Sequence, residues 1–179
     1  MARPLEYTRG AIGMHWVVAG LIFLAFPLGL YMTGLPLSPD KLRYYSYHKW
    51  IGITVLFLAV WRVAARLMRT YPGVPDTLPA WERRLAFVMH CLLYGLGCAV
   101  PLSGWLMSSA QGFQTVWFGV LPLPDLIGQD KIWAADLKSV HESLSYLMLV
   151  LVTGHLLAAL WHHFGVRDRV LTRMIPWLR

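Results

Sequence analysis

The stretch Leu137–Phe164, LKSVHESLSYLMLVLVTGHLLAALWHHF, decides how the rest of the chain is read. No Asp, Glu, Lys or Arg occurs from residue 143 to 166. That run exceeds the roughly 20 apolar residues a helix needs to cross a bilayer. Two histidines, His141 and His155, stand fourteen residues apart in it. Fourteen residues are close to four helical turns, so both side chains share one face, about 21 Å apart along the axis. Ionisable groups inside a membrane are costly and by default functional. This segment therefore reads as a spanning helix that offers one imidazole near each membrane surface.

Working outward, residues 11–39, 50–61 and 85–124 are also free of charge. The second run is short and spans only if Arg62, Arg66 and Arg69 reach the headgroups along their apolar stems. The reading is a single membrane domain over 1–179 with spans at roughly 12–34, 47–69, 84–108 and 139–163. An outer loop over 109–137 is expected to lie on the membrane surface, with a short amphipathic helix near Lys131–Asp136. Pro27 and Pro101 fall inside spans, where kinks are expected because neighbouring groups can satisfy the freed carbonyls. The first apolar run is too long for a signal-peptide core, so it is read as a retained span.

Of the 179 residues, 57% are hydrophobic and only 14% charged, against about a quarter charged in soluble domains. The net charge of +7 first suggests nucleic acid, which would need a polar basic surface patch. Four spans put both termini on one side. That side collects Arg3, Arg9, the basic residues from Arg62 to Arg84, and those from Arg167 to Arg179: eleven in all, against Glu6, Asp76, Glu82 and Asp168. The other side has Lys41, Arg43, Lys49, Lys131 and Lys138 against five acids. Basic residues mark the cytoplasmic face, so both termini are expected there and no nucleic-acid partner is. No P-loop or Rossmann glycine pattern occurs in a strand-turn-helix context. Cys91 and Cys98 are too far apart on one helix to bridge and are read as buried apolar residues.

The remaining histidines sort by depth. His15 lies near the cytoplasmic end of the first span and His48 near the outer end of the second. His141 is outer and His155 inner. Depth pairs His15 with His155, and His48 with His141. Two facing imidazoles at one depth suit an axially ligated haem. Structural zinc wants four ligands. The residues alone leave two bis-histidine haems and packing or proton-relay histidines both open. Gly29 and Gly104 sit fourteen residues after His15 and His90 and are expected to leave room for a macrocycle. Arg62 or Arg66 is expected either to pair with a haem propionate or to anchor the helix at the basic face. His90, at the inner level, is read as a group beside the haem or a quinone. His162 and His163 are placed at a helix end.

The segments GMHWVVAGLIF, YHKWIGITVLFLAVWRVAARL, MHCLLYGLGCAVPLSGWLM and LKSVHESLSYLMLVLVTGHLLAALWHHF, with the tail VRDRVLTRMIP, resemble the bacterial cytochrome b-561 family. The resemblance covers nearly the whole chain. It implies an all-α, four-transmembrane-helix bundle in the bacterial inner membrane, with two haem b groups in its core. It implies that His15 and His155 ligate the inner haem iron, His48 and His141 the outer one, and that His90 is not an axial ligand. Within the family the chain is similar to superoxide:quinone oxidoreductases, which implies an oxidoreductase with superoxide as donor and ubiquinone as acceptor. Lys49 and Lys138 flank the outer ligands and are candidates for steering an anion. The alternative is a cytochrome b anchor subunit that passes the electrons of a dehydrogenase or hydrogenase, its redox partner protein, to quinone.

Overall fold

A computed structural model describes residues 6–68 and 78–178. Four long helices carry the chain: α1 (Arg9–Gly34), α2 (Pro39–Met68), α3 (Ala80–Ala110) and α4 (Lys131–Trp161). All four are long and apolar enough to cross a membrane. At about 1.5 Å per residue the shortest, α1, runs to about 39 Å, beyond the roughly 30 Å of hydrocarbon.

The helices start on local signals. Thr8 caps α1 by accepting from Ala11 N–H at 3.2 Å. Ser38 accepts from Lys41 N–H at 3.2 Å, and Pro39 occupies the first helical position, where a missing N–H costs nothing. Asp130 caps α4 through Ile132 N–H and Trp133 N–H, at 2.8 and 3.0 Å. At its far end α1 is closed by Lys41, whose ammonium donates to Leu35 O at 2.6 Å. A Schellman turn ends α3: Gly112 N–H donates to Ser109 O and Phe113 N–H to Ser108 O, at 2.9 and 3.0 Å. It needs a left-handed residue, and Gly112 supplies it with φ 75°.

The helix ends differ from the expected ones. Lys131–Asp136, expected as a separate surface helix, forms the first turns of α4. Its charges stop the hydrophobic signal but not the helix, which projects beyond the apolar slab. Helix α2 likewise begins at Pro39, eight residues before the expected 47. Arg69, the expected end of that span, lies outside the described residues, as do Arg3, Asp76 and Arg179 from the charge count. Pro27 and Pro101 are accommodated inside continuous helices. Cys91, expected to be buried, is exposed on α3, and Cys98 is half-buried.

Backbones pack closely in sequence order, α1 on α2, α2 on α3 and α3 on α4. Between α3 and α4 the chain forms a small antiparallel hairpin, β1 (Val116–Trp117) and β2 (Leu121–Pro122), that packs on α2. After α4 a π turn (His162–Val166) ends at Arg167, φ 60°. The tail then folds back in two 3-10 turns, and Trp16 Nε1 donates to Met174 O at 2.9 Å. The outer surface of the helices is apolar: Leu24, Trp61, Phe87 and Val150 are all more than half exposed. A soluble protein does not show so much apolar surface; a bilayer requires it.

Candidate haem-binding histidine pairs

Helix α4 presents both its histidines toward α1 and α2. His15 of α1 faces His155 with ring centroids 6.4 Å apart. His48 of α2 faces His141 with centroids 6.2 Å apart and planes at 90°. Phe26 of α1 and Tyr146 of α4 meet between the two levels at 5.9 Å. The histidines that depth grouped are thus brought together in those pairs.

The spacing fits a metal between the rings. A metal bound at about 2.0 Å by one nitrogen of each ring would fit between imidazoles whose centroids are 6.2 and 6.4 Å apart. Among the described residues, no group of three or more His, Cys, Asp or Glu side chains is arranged to hold a metal ion. The donor set therefore suits a metal whose remaining ligands come from elsewhere, as in haem.

The pair nearer the hairpin is fixed by its tautomer. His48 Nδ1 lies 3.1 Å from Ala25 O, and His141 Nδ1 lies 3.0 Å from Val100 O. A carbonyl only accepts, so each Nδ1 carries the proton and each Nε2 keeps its lone pair, the form a metal ligand needs. Ser103 Oγ, which donates to Val100 O at 2.7 Å, is also 3.1 Å from His141 Nδ1. A glycine lies one turn beyond each carbonyl, on the same helix face. A Cβ at Gly29 would meet His48 Cε1 at 3.1 Å, and one at Gly104 would meet His141 Cε1 at 3.0 Å. The two glycines do leave room, and the protein atoms nearest to that room belong to the two imidazole rings.

The pair nearer the termini is built differently. Arg62 Nη2 is 3.4 Å from His15 Nδ1, and its guanidinium lies over the Tyr94 ring, 5.3 Å from the centroid. A guanidinium only donates, so in this contact His15 Nδ1 accepts and its proton sits on Nε2. His15 would serve as a ligand through a ring nitrogen that carries no proton, and Arg62 stands beside it as a cation. His90 also stands at this level, its ring 5.5 Å from that of His155. Its Nδ1 donates to Ala86 O of its own helix at 2.6 Å. Arg66 lies one turn beyond Arg62 and is exposed. His162 bonds Asp168 at 2.6 Å, a partner the helix-end reading did not foresee.

The two outer lysines differ. Lys138 pairs with Glu142 at 3.8 Å on an exposed surface. Lys49 donates to Ser108 Oγ and Phe113 O at 3.1 and 3.2 Å. Those hydrogen-bond acceptors are neutral, and the carboxylate that acts on the Lys49 charge is Asp125.

Comparison with known proteins follows the same lines. The profile of prokaryotic cytochrome b561 matches residues 6–177. The chain is 31% identical to "Cytochrome b561 homolog 2" of Escherichia coli K12, covering 96% of this chain and 92% of that one. It is 30% identical to "Probable superoxide oxidase CybB" of Yersinia pestis, over 96% of both chains. It is 28% identical to "Cytochrome b562" of Cereibacter sphaeroides, over 98% of both.

Proposed function

The chain belongs to the prokaryotic cytochrome b561 family, a family of multi-pass membrane electron-transfer proteins that implies haem b, and from that premise we propose that it oxidises superoxide and reduces ubiquinone. The two imidazole pairs at opposite ends of α4, 6.4 and 6.2 Å between ring centroids, carry the reading. His15 and His155 would hold the inner haem iron, and His48 and His141 the outer. When bound, haem b at each level takes and returns one electron at a time. Two superoxide anions give two O2 and two electrons, and with two protons these convert one quinone to its quinol.

The chain's own residues prepare this chemistry. Ala25 O and Val100 O orient the outer imidazoles. Lys49, next to His48 in the chain, hydrogen-bonds only neutral acceptors and feels Asp125 without a salt bridge, which makes it a better lure for a small anion than Lys138, ion-paired with Glu142. At the inner level, the Arg62 guanidinium stands beside His15 and would match a carboxylate such as a haem propionate. Arg66 is the second candidate for that role. His90 stands closer to His155 than two axial rings do, which favours a place beside the haem. Basic residues cluster at the terminal end of the bundle, which supports termini in the cytoplasm and residence in the inner membrane.

The test is the purified chain alone in liposomes, supplied with superoxide and a short-chain ubiquinone. Quinol formation well above the uncatalysed rate is expected. Haem reduction that occurs only with a co-purifying protein would instead favour the anchor-subunit reading.

A further inference from the structure

The uncharged run that builds α3 does not end with that helix. It continues for fourteen residues, to Pro124, and those residues contain the hairpin. Trp117 Nε1 donates to Thr54 Oγ1 at 3.2 Å, and the Trp117 ring lies 5.4 Å from that of Phe57. Thr54 and Phe57 stand six and nine residues past His48, about 9 and 13 Å further toward the middle of α2. The Trp117 side chain therefore reaches along the flank of a spanning helix, deeper than the imidazole pair at its end of the bundle, while Val116 O and the Phe118 ring lie against Trp50, two residues past His48.

The hairpin's polarity suits that depth. In hydrocarbon, backbone groups must be satisfied within the protein. The carbonyls of Phe113, Thr115, Val116, Trp117 and Leu123 each accept a hydrogen bond from the chain. The acceptor at Val116 is held by Trp50 Nε1 at 2.7 Å. The large outward side chains are apolar, Phe113 63%, Phe118 56%, Val120 83% and Leu121 51% exposed, and the exposed polar one, Gln114, turns its Nε2 onto Leu123 O. The tip turns through Phe118 and Gly119, with φ 51° and 72°, and presents Val120 without a polar neighbour on either side.

From the depth of Trp117, the inward-bonded backbone and the apolar outward face, we infer that residues 113–123 form a re-entrant hairpin seated among the acyl chains of the leaflet opposite the termini. The surface it presents continues the lipid-facing surface of α2. Lys49, bonded to Phe113 O, ties its base to the helix that carries His48.

The experiment uses the full chain in liposomes, with Cys91 and Cys98 replaced by Ala. A nitroxide is attached at Val120→Cys, and separately at Phe118→Cys so that one perturbed site does not decide the result. Asp125→Cys serves as the water-exposed reference. Collision with oxygen, which concentrates in lipid, is compared with collision with a water-soluble nickel chelate. The oxygen-to-nickel ratio is expected to be severalfold higher at both hairpin sites than at the reference. A ratio equal to that at Asp125→Cys would place the hairpin in water and overturn the inference. Exclusion of both reagents would mean that protein, such as a second copy of the chain, covers this face, and would overturn it as well.

Discussion

Replacing Gly104 by Ala adds one methyl group on the face of α3 that packs on His141. That carbon would lie 3.0 Å from His141 Cε1 and 3.2 Å from Nδ1. Carbon–carbon contacts are most favourable at about 3.5–4.0 Å, so the imidazole must retreat by about half an ångström. Retreat stretches the 3.0 Å bond to Val100 O and shifts Nε2 on a ring whose partner, His48, is held from the opposite side by Ala25 O. Overpacking of this kind costs about 1–3 kcal/mol, a loss of roughly 5- to 150-fold in haem affinity at that level. Gly95→Ala is the control: it lies on the same helix with nothing within 4 Å of its added carbon. The assay is haem content per chain together with a potentiometric titration of the b-type absorbance. Gly104→Ala should lose or shift the outer component and leave the inner one; Gly95→Ala should change neither. Wild-type haem content and unshifted potentials in Gly104→Ala would refute the reasoning.

Further expectations come from the other contacts. Arg62→Gln should lower the inner midpoint potential by tens of millivolts, because removing a nearby cation favours the ferric form; an unchanged titration would remove Arg62 from the haem's surroundings. Lys49→Met deletes charge-assisted bonds to Ser108 Oγ and Phe113 O, each worth about 1.5–3 kcal/mol. Hydrogen exchange over 113–123 should accelerate, and unchanged protection would show that the hairpin holds without this tie. Trp16→Phe breaks the bond to Met174 O, so carboxypeptidase should trim the tail faster than in the wild type.

The histidine pairs were legible because a helix is a rigid ruler. His141 and His155 share a face of α4, and charge-marked span ends placed His15 and His48 at matching depths. The helix ends were less legible: Lys131, Asp136 and Lys138 interrupt the hydrophobic signal while the backbone stays helical. Gly112, two residues past the end of α3, is the stop signal that the sequence carries there. The hairpin has no local signature of alternation or strand length, since its two-residue strands are fixed by bonds to Trp50 and Thr54, more than 60 residues away in the chain. The role of Gly29 and Gly104 was half legible. Sequence marks where space is kept, and only the contact shows that an imidazole borders it. Arg62 stands fourteen residues after His48, which placed it at the inner depth on the ligand-bearing face, but nothing in the sequence pointed to His15 Nδ1 as its partner.

The most direct test of two stacked ligand pairs is the haem-to-protein ratio of the purified, fully loaded chain, read with its reduced-minus-oxidised spectrum. The account predicts a b-type spectrum with two haems per chain, falling to one in His141→Ala with the remaining component unshifted. A wild-type ratio of one or zero, or a ratio of two that persists in His141→Ala, would contradict it.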